Sequence, residues 1–497
     1  MDFSYLSILL FLPAAGAIIV AFFCGDRARL IRWLAAVFTF LPFALSVALF
    51  AVFDRSPAAA GLIQFEEKLL WIAPLNANYH LGVDGLSLPM VVLTTFLGFL
   101  SVLISWKINL RLREYFGWLL LLETSILGVF LSLDLLLFFI MWEIEIIPMY
   151  FLITIWGAGR KEYSAMKYVI YTLLGSAFML AGILSLYFPT GSLNMVEIAS
   201  GGLGMVQTIM PAAAIFFLLL IGFAIKLPVF PFHTWLPDAH TDAPTAVSVM
   251  LAGALIKMGG YGMIRLCVSL FPGVAKQYAV ILIILAVIGV LYGAAVTLRQ
   301  TDFKRMIAYS SISHMGYVLL GVFALSQVSL VGAAMQMFSH GVITGLLFAL
   351  VGLVMHNTHE RDLRNLGGLA RQMPIIAVVF SVAGLASLGL PTTSGFAAEF
   401  LIFIGSFTST IVPGIQIYTI LSILGVVLTA GYILWMLQRV FYGPPLEKFN
   451  GTADADILER VYMFALIAVI MLVGVYPAIL TYLFKLGISP IVGLLGG

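Results

Sequence analysis

An all-α, polytopic membrane fold with about 14 transmembrane helices follows from three observations. Of the 497 residues, 62% are hydrophobic and only 10% are charged, against about 25% charged in soluble domains. Mean hydropathy is +1.10. The apolar residues come in runs of about 20, the length that crosses a hydrocarbon core about 30 Å thick. Lysine and arginine alternate strongly between successive loops, as expected when basic loops stay on one side of a membrane.

In chain order the spans are expected at 4–24, 31–53, 86–106, 116–132, 135–156, 166–188, 211–231, 245–267, 277–297, 305–325, 330–355, 374–407 (interrupted), 415–441 and 460–482. The first lacks a small-residue cleavage site and reads as a retained helix. A very short turn at 132–134 joins the fourth and fifth. The long loop 54–85 carries few charges and Pro74, and is expected to form a small ordered cap. One set of alternate loops holds 18 of the 25 basic residues, the other set holds five, and Lys226 and Lys257 lie inside spans. Both termini are therefore expected to face outward, in the manner of a bacterial inner-membrane protein.

The composition also excludes function classes. No basic run resembles a nucleic-acid footprint. Two isolated cysteines, Cys24 and Cys267, cannot ligate an iron–sulfur cluster, which takes four. No glycine-rich loop sits between a strand and a helix, so no nucleotide site is indicated. His356 and His359, in HNTHERD, read as a solvated loop and not as a metal pair. No metal or cofactor is expected on this chain, so any redox chemistry that drives it must lie on partners.

An ionisable residue at mid-membrane costs about 2.5–3.5 kcal/mol on insertion scales, so each one needs a reason. Glu143 lies in the fifth span, in FFIMWEIEIIPMYF, five residues before Pro148. Glu145 is two residues on, nearly on the opposite helix face, so one carboxylate can face a channel while the other faces a neighbouring helix or subunit. Lys226 lies in the seventh span, in FAIKLPVFPFHTWLPDAH, where Pro228 and Pro231 free the carbonyls of Ala224 and Leu227 and break the helix. A lysine held away from water exchanges protons readily near neutral pH. Lys257 lies close to the midplane of the eighth span, where snorkelling reaches poorly. Glu399 lies in the twelfth, after a break at Pro391, the Thr-Thr-Ser run and Gly395; irregular backbone at this depth is tolerated where it lines a cavity or is buried in protein. His340, His314, His233 and His240 add possible relay or access steps, as does Asp302, although each histidine equally suits a satisfied interhelical hydrogen bond.

Two broken helices in one chain point to an inverted repeat. Helices four to eight and nine to thirteen each make a five-helix unit, and an odd count turns the second unit upside down. The seventh and twelfth helices are each fourth in their unit. The expected organisation is 1–115 (three helices with the cap loop), 116–267 (first unit), 277–442 (inverted second unit) and 443–497 (a loop and the last helix). A central row Glu143–Lys226–Lys257–His340–Glu399 would join two half-pathways, and Coulomb coupling along it would make each protonation bias the next.

The stretches FAIKLPVFPFHTWLPDAHTDAPTAVSVMLAGALIKMGGYG, QTDFKRMIAYSSISHMGY and GAAMQMFSHGVITGLLF resemble the proton-conducting antiporter-like subunits of complex I. WEIEIIPMYFLITIWG and HERDLRNLGGLARQMP look most like the subunit M and chain 4 family, and the likeness covers 80–445. The resemblance implies that Glu143 is the essential fifth-helix glutamate, Lys226 the lysine it modulates, Lys257 the central connecting lysine, His340 the central histidine and Glu399 the terminal release residue. It implies partners too: other membrane-arm subunits, with NADH, FMN, iron–sulfur clusters and quinone held by partner chains. WEIE also resembles relatives that use ferredoxin, so the electron donor stays open. A subunit of a multi-chain sodium/proton antiporter shares the two lysine motifs and is the alternative, as is, more remotely, a haem-bearing quinol enzyme using His314 and His340.

Overall fold

The computed structural model describes residues 4–25, 27–201 and 210–495. Among them, twelve helices are long and apolar enough to cross a membrane. They are Tyr5–Phe23, Ala28–Val52, Ser87–Ile104, Leu112–Leu131, Leu135–Trp156, Lys161–Thr190, Thr245–Val268, Pro272–Leu298, Phe303–Phe323, Gln327–Thr358, Ile415–Val440 and Ile457–Val475. The seventh and twelfth elements are split, into Ala212–Lys226 with Trp235–Asp242 and into Pro374–Ser387 with Ser394–Phe407. The eighth span is wholly buried and the tenth and eleventh nearly so, whereas the first two are mostly uncovered. The centre of the molecule is therefore built from the helices that carry Lys257, His314 and His340.

The helix ends have local chemical causes. Asp134 caps the fifth span, accepting from the Leu136 and Leu137 amides, and Asp302 caps the tenth, accepting from Arg305. Ser326 and Asp456 each form a reciprocal capping box, which satisfies donors that a helix start leaves free. At the seventh break the carbonyl of Ala224 is taken by the Val229 amide at 2.9 Å, and the Trp235 indole donates to Ile225 at 2.9 Å. The broken backbone is thus re-satisfied inside the protein, as buried polar groups require. At the twelfth break Gly389 has φ +81° and Thr392 φ +79°, a conformation that costs a β-branched residue more than a glycine.

The structure corrects the sequence expectation at two places. The fold is not purely helical: within the cap loop, β1 (Gln64–Ile72) and β2 (Ala77–Val83) pair antiparallel. Long branched and aromatic side chains in QFEEKLLWI favour the pleat, and Asn76 takes the left-handed turn position at φ 51°. The last span ends at Val475, and a separate helix runs from Ala478 to Leu494, because Pro477 cannot continue the preceding hydrogen-bond ladder.

One hydrogen-bond pattern occurs twice. Leu135 donates to Leu193 at 2.8 Å and Met195 to Leu133 at 2.9 Å; Phe303 donates to Arg361 at 3.1 Å and Leu363 to Thr301 at 2.8 Å. These form the isolated antiparallel bridges Asp134–Asn194 and Asp302–Asp362. Each member of the second set lies 168 residues after its counterpart, 134 to 302 and 194 to 362.

Candidate functional site

The ionisable residues inside the spans fall into two clusters. In the first, Lys226 ends its half-helix and is 1% exposed. Its ammonium is ion-paired with the Glu145 carboxylate, and the Tyr168 hydroxyl donates to the same carboxylate. The Trp142 and Tyr168 rings lie 5.2 and 5.5 Å from the Lys226 nitrogen, within cation–π range. Two aromatic faces and a carboxylate thus take the place of water around a buried cation.

Glu145, which is fully buried, thus makes the direct ion pair with Lys226, where Glu143 was expected to act. A one-residue irregularity at Glu145 separates Leu135–Ile144 from Ile146–Trp156. Glu143 is partly exposed, lies beside Ser176 and within Coulombic reach of the same Lys226, and has one carboxylate oxygen without a partner among the described residues. The two-residue spacing suggested opposite faces, yet both carboxylates lie within reach of Lys226. Which of them pairs with it was not legible, because spacing fixes relative faces but not absolute rotation.

The second cluster is continuous. Lys257 is buried between two π-helical segments, Leu251–Leu255 and Met263–Val268. Such segments often mark functional positions because they displace the hydrogen-bond ladder. The Lys257 nitrogen donates to the Ala252 carbonyl and lies 2.8 Å from Nδ1 of His340. The other His340 nitrogen has no partner among the described residues. Its ring lies 5.5 Å from that of His314. His314 Nδ1 is 3.4 Å from Glu399, and Nε2 is 3.3 Å from the Ser387 hydroxyl. Gly389, in the break, packs so that a Cβ there would sit 2.9 Å from a Glu399 oxygen. A narrow cavity lined by His314, Gln336, Ser339, His340, Ser387 and Glu399 lies between them, and a polar space of this kind suits an ordered water.

No hydrogen bond or ion pair joins Lys226 to Lys257 among the described residues. The clusters meet only through packing, where Gly259 lets the eighth span approach the backbone at Leu227. His240 is buried and stacked on Phe348 at 4.6 Å, with neither ring nitrogen partnered. His233 stacks on Phe230 and meets Tyr292 edge to face. Asp302 pairs with Arg361 at the basic end of the fold.

Three further residues escaped sequence reading. Tyr168 looks like an ordinary aromatic in a helix. Lys304 reads as a loop lysine but is 4% exposed. Glu123, in LLLLETSILG, is a buried carboxyl packed on Gly98 with one oxygen unpartnered. Its place eleven residues into the span Leu112–Leu131 was the signal that could have found it.

Residues 132–425 match the transmembrane family described as NADH:quinone oxidoreductase/Mrp antiporter. NADH-quinone oxidoreductase subunit M of Rhodobacter capsulatus is 40% identical over 96% of this chain and 94% of its own length. NAD(P)H-quinone oxidoreductase chain 4 1 of Synechococcus elongatus is 39% identical over 97% and 90%. Among solved structures, a chain of respiratory complex I from Thermus thermophilus with bound NADH superposes with TM-score 0.89 at 27% identity, covering 99% of this chain and all of that one. A chain of the Mrp complex from Dietzia shares the fold, with TM-score 0.85 over 98% of this chain at 21% identity. This chain belongs to the NADH:quinone oxidoreductase/Mrp antiporter transmembrane family, among the subunit M and chain 4 proteins.

Proposed function

We propose that this chain is a proton-translocating membrane-arm subunit of a complex I, coupling quinone reduction on partner chains to proton movement through its buried ionisable row. The observation that carries this reading is the pair of clusters, Glu145–Lys226 and Lys257–His340–His314–Glu399, held inside a membrane-spanning fold. A buried ion pair is costly unless both partners stay matched. Adding or removing one proton therefore changes the pairing, and the change reaches the next group through the field. Glu143, within Coulombic reach of Lys226, is a second carboxylate on the same lysine.

The repeated bridge pattern supports two units, helices four to eight and nine to thirteen, with the first three helices and the residues after 442 outside them. The units differ in charge order: in the first the acid is on the second helix and the base on the fourth, and in the second the base, His314, is on the second and the acid, Glu399, on the fourth. The cofactors NADH, FMN, iron–sulfur clusters and quinone belong to partner subunits on this reading, other antiporter-like subunits among them. The basic loops face the cytoplasm of a bacterial cell and both termini face outward.

The test is the purified, reconstituted complex. Co-elution of flavin and iron–sulfur subunits, with quinone-linked acidification of vesicles that Lys257→Ala abolishes, is the expected result. Elution without redox subunits, together with sodium/proton exchange, would identify an antiporter instead.

A further inference from the structure

Lys304 lies in QTDFKRMIAY, where the sequence suggests a basic loop, yet its side chain is buried. Its nitrogen donates to the Ala243 carbonyl at 2.6 Å. Ala243 is the C-cap of the short helix Trp235–Asp242, its amide donating to the Ala239 carbonyl, and the last turn of that helix carries His240. His240 is fully buried, and both of its ring nitrogens lack a partner among the described residues, an arrangement that is costly unless something transient uses them. The imidazole is held flat against Phe348, two turns along the eleventh span from His340. It lies within Coulombic reach of Lys304 on one side and Lys257 on the other.

Lys304 is also one layer beneath a set of ion pairs open to water. Asp238 pairs with Lys167 at 2.7 Å and Arg305 at 3.4 Å. Arg361, about a third exposed, pairs with Asp302 and reaches the Thr241 carbonyl at 3.3 Å. From the basic end inward the order is exposed ion pairs, a buried amine, an unpartnered imidazole, and the Lys257–His340 pair.

We propose that Lys304 takes up protons at the basic end and delivers them through His240 to Lys257 and His340. In each transfer one N–H bond breaks and one forms. The Lys304 ammonium gives its proton, across water, to one ring nitrogen of neutral His240. The imidazolium releases the proton on its other nitrogen to the Lys257 amine, and the Lys304 amine is reprotonated from the aqueous side. A lysine and a histidine suit this because both exchange protons once buried, whereas an arginine holds its own.

The inference rests on the proposed pumping function, and the test separates the two. Wild type, Lys304→Gln, Lys304→Arg, His240→Phe and Lys257→Ala are compared in the assembled, reconstituted complex, with assembly checked by subunit composition. Gln and Arg both keep a donor for the Ala243 carbonyl, and Phe keeps the stack on Phe348, so a merely structural role predicts near wild-type pumping. The proposal predicts a loss of about a hundredfold in proton delivery for all three, the range of lost proton-transfer catalysis, and a Lys304→Gln/His240→Phe double variant no worse than either single one, as steps in series require. Full pumping by Lys304→Gln and Lys304→Arg beside a silent Lys257→Ala overturns this inference alone. Full pumping by Lys257→Ala overturns the function as well. If Lys304→Gln fails to assemble, full pumping by His240→Phe decides against the route.

Discussion

Replacing Glu145 by glutamine separates the two carboxylates of the fifth span. In the structure Glu145 is fully buried, paired with Lys226, and bonded by the Tyr168 hydroxyl. Glutamine keeps the volume and an acceptor but removes the charge. Breaking a buried pair by removing one partner costs about 3–5 kcal/mol, because the other charge is left uncompensated. One decade in a protonation equilibrium is worth about 1.36 kcal/mol, so the charge left without its partner is disfavoured by more than two decades. Glu143 is partly exposed and makes no ion pair among the described residues with Lys226, so Glu143→Gln removes a longer-range interaction worth much less. The assay is the proton-to-electron ratio of the reconstituted complex, read by a pH dye during quinone reduction, with electron transfer measured in parallel. Glu145→Gln is expected to abolish this subunit's share of pumping, and Glu143→Gln to reduce it. Wild-type pumping in Glu145→Gln with a silent Glu143→Gln would refute the inward placement of Glu145.

Tyr168→Phe removes one hydrogen bond to a carboxylate, worth about 1.5–3 kcal/mol; slower pumping with unchanged assembly is expected, and an unchanged rate would exclude a role for the hydroxyl. Gly98→Ala places a methyl group against the Glu123 carboxyl; overpacking of this kind costs about 1–3 kcal/mol, and a lowered melting temperature that Glu123→Ala restores would confirm the contact. On the cap, the Ser192 hydroxyl and Lys68 hold the Glu197 carboxyl below its ordinary pKa. A depressed carboxylate contributes stability above its unfolded value, about 4.3, and loses it as pH falls through the folded value. The Lys68–Glu197 pair is 41% and 53% exposed, so its share is about 1 kcal/mol or less. Protection of the β1 amides, measured relative to their intrinsic exchange rates, is expected to fall only below about pH 4.3, and less so in Lys68→Met.

The polytopic helical fold, its two broken helices and the buried charges Glu145, Lys226, Lys257 and Glu399 were legible in the amino-acid sequence, whereas Glu123 and Lys304 were not. The legible features depend on short-range rules: hydropathy over about 20 residues, proline's missing amide, and the cost of a charge in hydrocarbon. The sequence also carried the family, through motifs on the helices that line the site. Which groups meet depends instead on how the helices pack. The packing of the fifth helix against the seventh made Glu145 the ion-pair partner of Lys226 and left Glu143 within Coulombic reach of the same lysine. The short helix Trp235–Asp242 folded back under the tenth span and buried Lys304, which local sequence counts among basic loop residues. The π-helical segments around Lys257 arise from packing against Phe223, Leu227 and the eleventh span at Gly253, Gly259 and Gly262, and no periodicity in the letters announces them. Pairings across 60 to 85 residues of chain, such as His314 with Glu399 and Lys257 with His340, are set by how helices stack, which is a property of the whole bundle.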